Sequence, residues 1–152
     1  MELSAADRRL LRALQEDARM TNQALAEAAG LSTSACWRRV RTLEEAGVIR
    51  AYRAQLDAEA AGLTFHAVVQ VSLERHEGRH VKDFITAVAS RPEVLECFAT
   101  TGEADYHLRV VCADKEAYNS FLERFLFTQP GVAQVRTNLV LKEIKQTAAL
   151  PV

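Results

Sequence analysis

No lysine occurs in the first 63 residues of this 152-residue chain, where nine arginines and nine acidic residues cancel. Several other absences bound what the protein can be. No run of about 18 apolar residues exists, so no membrane span is expected. The start, Met-Glu-Leu-Ser-Ala-Ala-Asp, lacks a basic stretch followed by an apolar one, so no export signal is read and a cytoplasmic protein is expected. Only three cysteines are present, Cys36, Cys97 and Cys112. Their odd number and wide spacing give neither a CxxC pair nor a disulfide framework, and they read as small apolar residues in a reducing compartment. Glycine-rich phosphate loops are missing too. A formal net charge of −1 excludes a basic coat, so any nucleic-acid contact has to come from a focused patch.

Such a patch exists. Between Leu31 and Leu56 five arginines face only Glu44 and Glu45, a local balance of +3, and the single tryptophan lies among them. Three short helices with clear punctuation lead into it. Ser4 begins a Ser-x-x-Asp cap, followed by Leu10, Leu11 and Leu14 on one face. A second helix starts after Thr21, turns Leu25 and Ala28 inward and stops at Gly30. Ser32 caps a third helix at once, which leaves the short glycine turn of a helix-turn-helix.

On the third helix Cys36, Val40 and Leu43 define the buried stripe. Opposite lie Ser34, Arg38, Arg41 and Thr42, with Trp37 on one flank and Arg39 on the other. Short hydroxyls near the N-terminus followed by guanidinium forks suit a major groove, where arginine clasps guanine or phosphate. Lysine offers no such planar fork. Gly47 ends the helix, and Val48 to Leu56 has β-type composition, a small wing that would lay Arg50 and Arg53 beside the DNA backbone. An arginine-bearing helix face is otherwise only a solvated surface, and a helical module used for protein contacts is the competing reading.

Residues 57–63, beginning Asp57-Ala58-Glu59, read as a short linker ended by Gly62. Beyond them the period changes. Phe65, Ala67, Val69, Val71 and Leu73 alternate with His66, Val68, Gln70 and Ser72 as a strand. Val81, Phe84, Ile85 and Val88 make a helical stripe closed by Arg91-Pro92. Strands follow at Val94–Thr101 and Tyr106–Cys112, then a stripe of Tyr118, Phe121, Leu122 and Phe125, then a last strand over Val132–Ile144. Arg91-Pro92-Glu93-Val94 recurs as Gln129-Pro130-Gly131-Val132. The order βαββαβ predicts a ferredoxin-like sheet with both helices on one side. The fold class is therefore α+β, with a winged helix-turn-helix over 1–56 and a ferredoxin-like ligand-binding and oligomerisation domain over 64–152. Val68 and Val111 put apolar groups on the uncovered sheet face as well, which predicts burial against a second copy in a two-fold dimer.

An N-terminal helix-turn-helix ending "LEEAGVIRAYRAQLDAEAAGL", joined to a βαββαβ domain containing "TTGEADYHLRV", resembles the Lrp/AsnC (feast/famine) family of regulators. The resemblance covers nearly the whole chain. It implies a homodimer that assembles further, often to octamers, binds double-stranded DNA and answers to small effectors, mostly amino acids. By position it puts the helix-turn-helix at Asn22 to Arg41 and the recognition helix at Ser32 to Glu44, with Asn22, Thr33, Ser34, Trp37, Arg38, Arg41 and Arg50 as DNA-contacting residues. The family's effector cleft would lie near Thr101-Gly102-Glu103-Ala104-Asp105-Tyr106. There Gly102 allows close backbone approach to a carboxylate, and Asp105 or Glu103 could hold an ammonium. A tight hairpin would want the same glycine and aspartate. "ACWRRVRTLEE" and "KQTAALPV" are similar to a cysteine-sensing branch.

Enzymatic and metal-binding readings are weak. His76 and His80 have metal-ligand spacing but no third ligand, and Cys97 with His107 lacks an orienting group and an oxyanion site. No cofactor is expected.

Overall fold

A computed structural model describes residues 2–74, 78–147 and 149–152, in two compact units. The first comprises Met1–Gln55 together with Lys145–Val152, and the second Leu56–Ile144. The division between the units falls between Gln55 and Leu56, and residues 145–152 group with the helical unit rather than with the sheet.

Three helices build the first unit: α1 (Ala5–Glu16), α2 (Asn22–Ala29) and α3 (Thr33–Glu45). Each starts at the predicted hydroxyl cap. Ser4, Thr21 and Ser32 accept the backbone N–H of Asp7, Ala24 and Ala35, which would otherwise be unpaired at a helix start. Gly30 ends α2 in the left-handed region at φ 66°. The core joins Leu10, Leu11, Leu25, Ala26, Ala29, Cys36 and Leu43. Ala28, read from the sequence as inward, is exposed; Ala26 and Ala29, one helix face away, take that place.

One polar residue sits inside this core. Asp7 is fully buried, and its carboxylate accepts both Nε (2.8 Å) and Nη2 (2.6 Å) of Arg39, pinning α3 to α1. Ser4 adds its backbone N–H and hydroxyl, completing a reciprocal capping box. The Arg39 fork is the foremost cause that holds the Asp7 carboxyl down at about 2, against the opposing pull of burial. The C-terminal tail closes the unit's edge. Gln15 exchanges two hydrogen bonds with the Leu150 backbone, Arg12 Nε donates to the Val152 carbonyl (2.6 Å), and Val152 packs on the core.

The predicted wing is not a strand. Residues 48–56 carry no sheet pairing, because the unit offers no second strand to take up their N–H and C=O groups. The segment is positioned instead by Tyr52, whose hydroxyl donates to Glu44 (2.9 Å). Asp57 then caps the single turn before Gly62.

The second unit runs β1 (Phe65–Leu73), α4 (Gly78–Ala89), β2 (Val94–Ala99), β3 (Tyr106–Cys112), α5 (Lys115–Arg124), a 3-10 turn (Leu126–Thr128) and β4 (Val132–Leu139). Strand order β2-β3-β1-β4, with antiparallel β1–β3, β1–β4 and β2–β3 pairs, is the ferredoxin-like arrangement. Ala67, Val69, Val71, Leu108 and Val110 meet Phe84, Val88, Tyr118 and Phe121 in one core. Ile85, expected in that core, is exposed. Gly131 lies at φ 82°, and a Cβ there would stand 2.8 Å from that of His80, so the corner at Pro130-Gly131 requires glycine.

The uncovered face corrects one expectation. Register puts His66, Val68, Gln70 and Ser72 there from β1, His107, Arg109 and Val111 from β3, Glu96 and Phe98 from β2, and Gln134, Arg136 and Asn138 from β4. The face is mainly polar, and Val111 is already buried within the single chain. Two valines were too few to represent it, because the outward set on β4 is wholly polar.

The buried pair makes a defined acid response. Asp7 has its carboxyl near 2 when folded and near 3.8 when unfolded. It therefore contributes stability above pH 4, and about 2 kcal/mol is lost as pH falls through 2. Asp7→Ala is expected to remove about 3 kcal/mol at neutral pH, since Arg39 loses its partner. Chemical denaturation at stepped pH checks both. Deleting residues 145–152 is expected to cost about 2 kcal/mol in the same assay, from the lost Val152 packing and tail hydrogen bonds.

Candidate nucleic-acid interface and effector loop

With Arg39 turned inward, the remaining face of α3 can be assigned side chain by side chain. Asn22, Thr33, Ser34, Trp37, Arg38, Arg41 and Arg50 are all exposed. Asn22 opens α2, while Thr33 and Ser34 form the first turn of α3 beside the Ser32 cap, where backbone N–H groups favour an anion. Trp37 is 51% exposed, unusual for so large an apolar ring. The Arg41 guanidinium carbon lies 5.7 Å from its ring centroid, and Arg41 Nε donates to Glu45 (2.8 Å). Arg38 and Arg50 make no side-chain ion pair among the described residues. Tyr52 covers Glu44, and its phenol is pushed up to about 12, first by burial and then by that carboxylate. The acids of the patch are thus engaged, and Arg38 and Arg50 are left as uncommitted cations.

The loop between β2 and β3 is tied down more firmly than its sequence indicated. The Asp105 carboxylate accepts the Leu73 backbone N–H (2.8 Å), and the Asp105 backbone N–H donates to Val71. Glu103 pairs with Arg136 (2.9 Å). Tyr106 points into the core and lies 5.0 Å from the Phe84 ring. Thr101 and Gly102 are exposed, and Gly102 sits at φ 128°. Among the described residues no hydrogen bond takes up the backbone N–H groups of Thr101, Gly102 and Glu103. So the loop presents main-chain donors, while its acids hold the loop itself. A concavity of about 260 Å³ lies elsewhere, on the open sheet face, lined by residues including His66, Glu96, Phe98, His107 and Arg109.

The cysteine–histidine pair considered as a nucleophile and base is not assembled. Cys97 pairs in register with Leu108, and His107 with Phe98, so Cys97 and His107 lie on opposite sheet faces. Burial pushes the Cys97 thiol up, away from the nucleophilic form. His76 lies outside the described residues, and no cluster of three metal-ligating side chains occurs among those described. None of the described helices is long and apolar enough to cross a membrane.

Residues 3–50 match a winged helix-turn-helix DNA-binding family model, and residues 66–150 match the Lrp/AsnC ligand binding domain. The chain belongs to the Lrp/AsnC family of transcriptional regulators. It is 38% identical over 150 residues to the DNA-binding transcriptional activator DecR of Escherichia coli, covering 99% of each chain. Identity to the Bkd operon transcriptional regulator of Pseudomonas aeruginosa is 41% over 150 residues, covering 99% and 98%. The solved transcriptional regulator NMB0573 of Neisseria meningitidis, an L-Met complex, superposes with TM-score 0.94 at 41% identity, covering 99% of this chain and 97% of that one. The chain is thus a DNA-binding regulator with a ligand-binding domain, and its relatives are regulators rather than enzymes.

Uncommitted arginines should behave as phosphate ligands. Arg38→Ala is expected to reduce the slope of log Kobs against log salt by about 0.9 while lowering affinity similarly for all sequences. Mobility shifts at several salt concentrations read this directly.

Proposed function

We propose that the chain binds double-stranded DNA through α3, as a homodimer that assembles further, and that an amino acid modulates it from the loop at residues 101–106. The observation that carries this reading is the division among the α3 arginines. Arg39 is consumed by Asp7, whereas Arg38 and Arg41 share the outward face with Ser34 and a half-exposed Trp37. A protein-contact face would gain nothing from short hydroxyls at the helix start and exposed guanidinium groups behind them, while both suit phosphates and base edges. Its relatives are bacterial regulators, and such a protein would work in the cytoplasm, beside the DNA it binds.

Self-association draws support from exposed apolar side chains at Phe98, Leu139, Leu141 and Ile144, and from the weakness of one short helix acting alone. Two such helices at fixed spacing would read two half-sites together.

For the effector, the unengaged main-chain N–H groups at Thr101, Gly102 and Glu103 suit a carboxylate. The ammonium would fall to Glu103, released from Arg136, because Asp105 is held by Leu73. Tyr106 contributes its backbone alone. The neisserial relative was solved with L-methionine, and the likeness to a cysteine-sensing branch points to another sulfur amino acid. Cysteine and methionine are therefore the first candidates.

Two measurements test the reading. Mobility shifts on upstream genomic fragments are expected to show binding that weakens steeply with salt; retention of amino-acid binding without any DNA shift would leave a ligand module with a protein-contact domain. Thermal shifts with each of the twenty amino acids are expected to single out one or two ligands, each adding about 2.7 kcal/mol at a hundredfold excess over Kd. Glu103→Ala should abolish that gain and spare DNA binding.

A further inference from the structure

On the outward face of α3 one arginine differs from its neighbours. Arg41 is held from two sides: its Nε donates to Glu45 at 2.8 Å, and its guanidinium carbon lies 5.7 Å from the centroid of the Trp37 ring. All three residues are exposed, and they run as i, i+4, i+8 along one helix line. Because Nε is occupied, the end-on edge with the two terminal amino groups is what remains to meet a partner. That edge is a bidentate donor, matched to two adjacent acceptors in one plane.

Two kinds of acceptor in DNA fit it: a phosphate, and the O6 and N7 atoms of guanine. Glu45 discriminates between them. An anionic phosphate on that edge would lie close to the Glu45 carboxylate, and like charges at such range repel. Guanine O6 and N7 carry no net charge, so a neutralised guanidinium loses little against them. The Trp37 stack and the Glu45 bond also restrict the rotamers of a long side chain before DNA arrives, which lowers the entropy lost on binding. Arg38, three residues earlier on the same face, has no such ion pair or ring contact among the described residues.

We propose that Arg41 is a specificity-determining residue that reads one guanine per half-site in the major groove, with Glu45 as its positioning residue and Trp37 as its stacking platform. The proposal rests on the DNA-binding reading above and deepens it. It divides the two outward arginines: Arg41 selects sequence, and Arg38 supplies affinity.

Selection from a random duplex library defines the sequence preferred by the full-length protein. Binding is then measured to that duplex, to single-base variants of it and to a mixed-sequence duplex, over a salt series. For the unaltered protein one position per half-site is expected to require guanine. Arg41→Lys retains the charge and the helix but not the planar edge; it is expected to lose about tenfold or more of the preference at that position, a larger change than in its mixed-sequence affinity. Glu45→Gln removes the repulsion, so mixed-sequence affinity should rise, the salt slope steepen and the guanine preference shrink several-fold. Uniform weakening of all duplexes by Arg41→Ala, with a slope reduced by about 1 and guanine preference intact, would make Arg41 a phosphate ligand and overturn the proposal. A guanine preference indifferent to Glu45→Gln would overturn the positioning role. Failure of the unaltered protein to bind any duplex would sink the DNA-binding reading itself, a result distinct from these.

Discussion

The buried contact between Asp7 and Arg39 is the constraint on which the rest of the helical unit depends. Carboxylates are seldom wholly removed from water, and this one is tolerated because a bidentate guanidinium and a serine hydroxyl satisfy it. The contact joins the start of α1 to the middle of α3, two elements 32 residues apart. It thereby fixes which side of α3 can turn outward. An arginine-rich helix without such an anchor could rotate and present any of its cations; here one is spent so that the others have a defined direction.

Much of this was legible in the sequence, and the failures have a common cause. Helix starts at Ser4, Thr21 and Ser32, the stop at Gly30, and the alternating strands at Phe65–Leu73 and Tyr106–Cys112 depend on neighbours a few residues away, and such local signals are written in the chain. The Pro-x corners at 92 and 130 likewise announced the repeated half of the sheet domain. What escaped was long-range. No spacing rule couples Asp7 to Arg39, and nothing local separates a strand from the unpaired segment at 48–56, whose fate turns on the absence of a second strand. The exposed Ala28 and Ile85 show that a helical stripe is wider than the buried line within it. Glu45, by contrast, was within reach, since its four-residue spacing from Arg41 is a standard ion-pair interval.

The loop at residues 101–106 shows how one composition serves two ends. Glycine and acids were equally consistent with a hairpin and with an amino-acid site. In the fold the acids do hairpin work: Asp105 stitches the loop to the end of β1, and Glu103 reaches Arg136. The open sheet face makes a similar point about faces judged from a few positions. Charge and amide groups dominate it, and the apolar exposure gathers at its margins and along the chain beyond β4.

Residues 145–152 complete the helical unit although they follow the entire sheet domain in the chain. During synthesis α1 to α3 leave the ribosome early, yet the seat that Val152 fills on the helical core stays open until the sheet domain has been made, several seconds later at ordinary elongation rates of about 5–20 residues per second. The nascent helical unit must therefore persist as an incomplete fold, kept together by its capping box and the Asp7–Arg39 ion pair, while the whole ferredoxin-like domain forms behind it.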